Sequence, residues 1–138
     1  MNEDKAQEIR IEDILGENNL KVSYKSLMAY RDYIQNNILF PCDLTGREDF
    51  SWEEIYVFGS GDKNEYAELK KVQPSYTDTY TFMSFDDQIE DNNGLMVKVK
   101  RLSDSKPFVL PLADLKVTDI NSSNNQLVHD YAVWYVTY

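Results

Sequence analysis

On either side of Phe40-Pro41 the apolar residues of this chain keep different periods, and only a mixed fold accommodates both. Before that point, Tyr24, Leu27, Met28, Ile34 and Ile38 recur every three to four residues, with Lys25, Arg31, Asp32 and Gln35 between them. Such a stripe predicts a helix over 22–39, capped by Ser23 and packed against a core. Pro41 stops it, because the residue before a proline avoids helical geometry. Upstream, Ile9, Ile14 and Leu15 sit among charges and run out near Gly16, which predicts an acidic helical extension over 1–20.

From residue 52 onward the texture becomes short runs of Tyr, Phe, Val and Thr separated by turn residues, predicting a β-rich body over 52–138. Candidate strands are 54–58, 65–72, 79–85, 95–102, 108–112, 115–119 and 127–137. The alternation is cleanest in Leu95-Met-Val-Lys-Val-Lys-Arg101, where Leu95, Val97 and Val99 face one way and Lys98 and Lys100 the other. Gly59-Ser-Gly-Asp62 and Asn92-Asn-Gly94 read as hairpin turns, since Gly and Asn tolerate positive φ. The expected fold is α+β: one or two N-terminal helices packed on a curved antiparallel sheet or small SH3-like barrel of about six strands. No linker or repeat divides the chain, so residues 1–138 read as a single domain, and 138 residues bury enough surface to need neither disulfide nor structural metal.

The charge is unevenly spread. The chain carries a formal net charge of −10, and residues 43–91 alone hold thirteen acids against four bases. A field of that sign repels a phosphate backbone and attracts cations or basic proteins. Two clusters concentrate it. One runs from Asp43 through Glu48 and Asp49 to Glu53 and Glu54; the other comprises Asp86, Asp87, Glu90 and Asp91, just before Asn92-Asn-Gly94. Several carboxylates with nearby amide oxygens suit a hard divalent cation, and calcium accepts irregular shells of six to eight oxygens. Zinc is poorly served by one histidine, His129, and one cysteine, Cys42, far apart in sequence. An EF-hand does not fit: aligning Gly94 with the loop glycine puts Ile89 at the first ligand position and Lys100 where the bidentate glutamate belongs. The competing reading of both clusters is a solvated surface that keeps the protein soluble.

The order and spacing of Phe40-Pro-Cys42, Thr45-Gly-Arg-Glu-Asp-Phe50, Trp52-Glu-Glu-Ile-Tyr56, Glu65-Tyr66, Pro74-Ser-Tyr-Thr-Asp78 and Phe108-Val-Leu-Pro-Leu-Ala-Asp-Leu115 resemble the CcbP-type calcium-binding proteins, small acidic bacterial proteins. The resemblance covers roughly residues 24–118. It implies noncatalytic calcium binding through surface carboxylates, as an intracellular calcium buffer or sensor. It supports Glu48, Asp49, Glu53 and Glu54 as ligands, whereas Asp43 and the Asp86–Asp91 loop are proposed from charge alone. Were 52–56 a regular strand, Glu53 and Glu54 would point to opposite faces, leaving one of them structural.

Three other functions compete. Cys42 and His129 would be an enzyme's nucleophile and base, but lone residues of these types more often pack than react. An acidic face interleaved with Tyr56, Tyr66, Tyr76 and Tyr80 would dock a basic protein. Nucleic-acid binding rests only on Lys98, Lys100 and Arg101, better read as counter-charge to the acidic half. The chain is therefore expected not to be an enzyme, not to bind nucleic acid or membrane, and, with one cysteine and a charged N-terminus, to reside in the cytoplasm.

Overall fold

The structure is a computed structural model; it describes residues 2–90 and 92–138, the side chain of Glu90 excepted. Its first helix, α1 (Glu3–Leu15), begins where the Asn2 side chain accepts from the Lys5 N–H and places Glu3 and Asp4 in the first turn, where they suit the helix dipole. The second, α2 (Tyr24–Asn37), is closed by a reciprocal cap: the Ser23 hydroxyl accepts from the Ser26 N–H and the Ser26 hydroxyl accepts from the Ser23 N–H. Leu27, Ile34 and Ile38 of the expected stripe are buried, and Tyr30 with them, whereas Tyr24 at the start of the helix is exposed.

A five-stranded antiparallel sheet follows: β1 (Asp43–Gly46), β2 (Thr79–Glu90), β3 (Gly94–Arg101), β4 (Pro107–Pro111) and β5 (Leu115–Val117), in spatial order β4-β3-β2-β1-β5. Leu44 pairs with Tyr80 and Val117, Phe82 with Val99, and Val97 with Leu110, so these apolar side chains share a face and form the core. Lys98 and Lys100 stand on the other face, exposed. The sheet is open, not closed into a barrel. Its edges are a three-residue strand, β5, and a strand bracketed by Pro107 and Pro111, which cannot donate to a further ladder.

The last helix, α5 (Ser123–Thr137), covers the core face together with α1 and α2. Tyr30, Tyr131 and Trp134 pack as a triad with ring centroids 5.0 to 5.9 Å apart. The Leu95 N–H donates to the Tyr131 hydroxyl oxygen (2.9 Å), fixing α5 to β3. Arg10 of α1 donates to Asp130 of α5 at 2.7 and 3.1 Å, so the N-terminal helix is tied into the same layer. Gly94, in the β2–β3 turn, has φ +68°, and a Cβ there would meet Tyr131 and Tyr135.

Several expected strands are helices. Residues 54–58 form the short helix α3 (Glu54–Val57) and its C-cap Phe58, directly after a 3-10 turn (Ser51–Glu53), and 65–72 lie in α4 (Lys63–Val72). Gly59-Ser-Gly-Asp62 thus joins two helices, with Asp62 capping α4 through the Asn64 N–H. Residues 127–137 belong to α5. The 52–138 segment is consequently not β-rich throughout, and one strand, β1, lies ahead of it. Among the described residues no helix is long and apolar enough to cross a membrane.

Arg101 explains how α4 is held. It occupies a core-face position on β3, is 3% exposed, and its guanidinium donates to the carbonyls of Lys70, Lys71 and Gln73 at the end of α4 and to Asp78 and Asp104. It is an internal clamp on a helix C-terminus, not part of a basic stripe with Lys98 and Lys100.

Candidate functional site

Leaving β1, the chain is pinned before it turns. The Gly46 N–H donates to the Tyr76 carbonyl (3.0 Å) and the Arg47 N–H to the Asp114 carbonyl (2.8 Å). The half-buried Arg47 guanidinium then reaches the Leu115 carbonyl (3.3 Å) and the exposed His129 at Nδ1 (3.2 Å). Phe50 plugs the core, and the Glu53 N–H donates to its carbonyl to start the 3-10 turn. Between these anchors Glu48 and Asp49 are left on the surface, and one turn later Glu54 opens α3.

These residues border a cavity of about 520 Å³. Its polar wall is Glu48, Asp49, Glu54 and Asp114, the last carried by the 3-10 turn Leu112–Asp114, with Ser51, Asn93 of the β2–β3 turn and Arg47. Its apolar wall is Phe50, Ala113, and Ala132, Val133 and Val136 from the last turns of α5. Burial pushes the Asp114 carboxyl up from its ordinary range and the Arg47 guanidinium down, Glu48 opposing the latter. Both shifts mark the Asp114 and Arg47 side of the cavity as partly desolvated, whereas Glu48 and Glu54 are exposed. The donors are carboxylate and amide oxygens, the hard set that calcium takes. Among the described residues, however, no three His, Cys, Asp or Glu side chains converge closely enough to enclose a metal ion.

The structure divides the sequence candidates. Glu48, Asp49 and Glu54 share the cavity. Glu53 does not: it is fully buried, its Oε2 accepting from the Tyr66 hydroxyl (2.6 Å) and the Ser75 hydroxyl (2.7 Å), its Oε1 from the Tyr76 N–H (2.8 Å). Those bonds tie the 3-10 turn to α4 and to the 75–76 segment. Asp43 opens β1, half-buried, opposite Thr81, and is not among the residues that line this cavity. Asp86 and Asp87 lie apart in an irregular stretch of β2, beside an open depression with Gln88, Met96 and Val109. The Glu90 side chain and Asp91 lie outside the described residues.

Asp114 is the residue that sequence reasoning missed. Its signal was present, since it lies in the Phe108–Leu115 segment that carries the resemblance, but a lone aspartate between Ala113 and Leu115 stands out only once β5 is paired with β1. The residues of the rival enzyme reading have other partners. Cys42 is 2% exposed, with its thiol pushed up to about 11 by burial, and His129 Nδ1 accepts from the Arg47 guanidinium (3.2 Å). Three of the four tyrosines expected on a docking face bond within the chain through their hydroxyls: Tyr66 to Glu53, Tyr80 to the Ser75 carbonyl, and Tyr56, at the surface, to Glu65 while stacked 5.1 Å from Tyr66; Tyr76 is half-buried.

The sequence matches no family model and no curated protein. Two solved structures match the fold. Anabaena CcbP superposes with a TM-score of 0.63 at 15% identity, over 98% of this chain and 93% of that one. A calcium binding protein in its calcium-binding form superposes with a TM-score of 0.61 at 14% identity, over 97% and 92%. The likeness takes in α1 and α5, beyond the residues 24–118 that carry the sequence resemblance, so from end to end this chain has the fold of CcbP.

Proposed function

We propose that this protein binds calcium, without catalysis, at the cavity bordered by Glu48, Asp49, Glu54 and Asp114. The observation that carries the proposal is the excess of negative charge there: four carboxylates and Asn93 line one cavity with a single arginine, whose guanidinium bonds His129 and the Leu115 carbonyl. The naming of one fold neighbour as a calcium binding protein in its calcium-binding form supports the choice of ion, as does the sequence resemblance to the CcbP-type proteins, whose namesake is the other neighbour.

Repulsion among the carboxylates raises the free energy of the ion-free cavity, and a divalent cation relieves it. The final turn of α5, whose carbonyl end carries partial negative charge, adds to the attraction. Because the carboxylates stand apart, the ion must draw the 47–54 loop and the 112–114 turn together, and ordering them costs affinity. A Kd on the order of 10⁻⁵ to 10⁻³ M follows, as in sites with few preorganised ligands. That range suits an intracellular buffer or slow sensor, and the single free, buried thiol of Cys42 is compatible with a reducing compartment.

Calorimetric titration of EDTA-stripped protein tests the proposal. Calcium gives saturable heat, magnesium binds more weakly because it demands a tight octahedron, and Glu54→Gln or Asp114→Asn weakens calcium about tenfold. Absence of saturable calcium heat would refute it.

A further inference from the structure

The same cavity has a half that an ion does not use. Its volume of about 520 Å³ is far more than one cation fills, its carboxylates do not converge, and one side is built from Ala132, Val133, Val136 and Phe50. Val136 is 79% exposed. Glu54 belongs to α3, and the exposed Phe58 (80%) lies one helical turn on, its N–H donating to the Glu54 carbonyl (3.0 Å). A long cationic side chain matches this arrangement on both counts: its charged head meets the acidic wall while its methylene stem lies on the valines. Phe58, one turn beyond Glu54, offers apolar contact to residues next to it, in the way exposed aromatics anchor interfaces.

We infer that in the calcium-free protein this cavity receives a lysine or arginine side chain from a basic, partly apolar segment of a partner protein, and that calcium and the segment exclude one another. The competition rests on the calcium reading; the docking rests on the apolar wall, which that reading leaves idle. Filling the acidic wall with an ion removes the charge that holds the cationic head, so calcium acts as a release signal.

The probe is a short fluorescein-labelled peptide of alternating Arg and Val, followed by anisotropy in about 0.1 M KCl, where the Debye length of roughly 10 Å suppresses long-range attraction. Stripped protein is expected to bind it saturably, Glu54→Gln to weaken binding about tenfold, and saturating calcium but not magnesium to displace it. Val136→Ser is the separating variant: it weakens the peptide about threefold and leaves the calcium titration unchanged, because a valine offers an ion nothing. Peptide binding indifferent to both substitutions would mean unspecific charge attraction and overturn the inference. So would no peptide binding by a protein that titrates normally with calcium, an outcome that leaves the calcium reading intact. Peptide binding to a protein with no calcium heat would refute the calcium reading and the competition together.

Discussion

Replacing Glu53 separates a structural carboxylate from a ligand. Its side chain is fully buried and accepts from Tyr66, Ser75 and Tyr76 at 2.6 to 2.8 Å. Glu53→Ala removes all three acceptor contacts. The Ser75 hydroxyl can turn to Thr77, 2.9 Å away, and half-buried Tyr66 can find water, but the Tyr76 N–H is stranded. At about 1 to 3 kcal/mol for each hydrogen bond lost or group stranded, the variant loses about 4 kcal/mol. Glu53→Gln is milder. Its amide oxygen keeps the Tyr76 N–H while its NH₂ donates to the two hydroxyls, so the cost is about 1 to 2 kcal/mol. For a chain of this length that corresponds to a Tm lowered by roughly 12 °C for Ala and 5 °C for Gln, read by calorimetry or urea denaturation. The calcium affinity of the Gln variant, measured below its Tm, is unchanged, whereas Glu54→Gln keeps its Tm and loses affinity. A Glu53→Gln protein with wild-type Tm and abolished calcium binding would refute the assignment of both residues.

Three further outcomes follow from Arg101, Asp104 and Cys42. Arg101→Lys cannot reproduce the planar fork that meets three carbonyls and two carboxylates, and lowers stability by about 3 kcal/mol with fraying of the Lys63–Val72 helix, seen as raised amide exchange there. The hydrogen bonds from Arg101 hold the Asp104 carboxyl down at about 2, so its stabilisation is complete above the ordinary carboxylate range and is lost as pH falls from roughly 4 through 2. Asp104→Asn should flatten the acid limb of the stability curve in that window. Burial, with a smaller contribution from Asp43, lifts the Cys42 thiol to about 11, so at pH 7.5 a thiol reagent reacts with native protein far more slowly than with protein in denaturant, and equal rates would contradict the buried placement.

Local signals that agree with the tertiary environment were readable. The Tyr24–Asn37 helix, the alternation of β3 and the Asn92-Asn-Gly94 turn all follow from period and turn chemistry. The Ser123–Thr137 helix was obscured because Val, Tyr, Trp and Thr favour strands, yet its buried Asn124, Val128, Tyr131 and Ala132 recur at helical spacing and packing on the sheet overrides propensity. The Lys63–Val72 helix carried its own announcement, an Asp62 cap and Lys70 and Lys71 in the last turn, which the neighbouring Tyr66 and Val72 masked. Strand β1 spans four residues, too few for alternation to register. Glu53 and Glu54 were expected to diverge as strand neighbours; they do diverge, but from a helical turn. In the cavity, Glu48, Asp49 and Glu54 were legible because they are sequence neighbours, whereas Asp114 and the valines of the last helix join them only through the β1–β5 pairing.

The most direct test of the central claim is a calcium titration followed by backbone amide chemical shifts on ¹⁵N-labelled, EDTA-stripped protein. The account predicts a single saturable set of shifts centred on residues 47–54, 93 and 112–115, weakened by Asp114→Asn. Shifts confined to the amides around Asp86 and Asp87, or no saturable shifts, would contradict it.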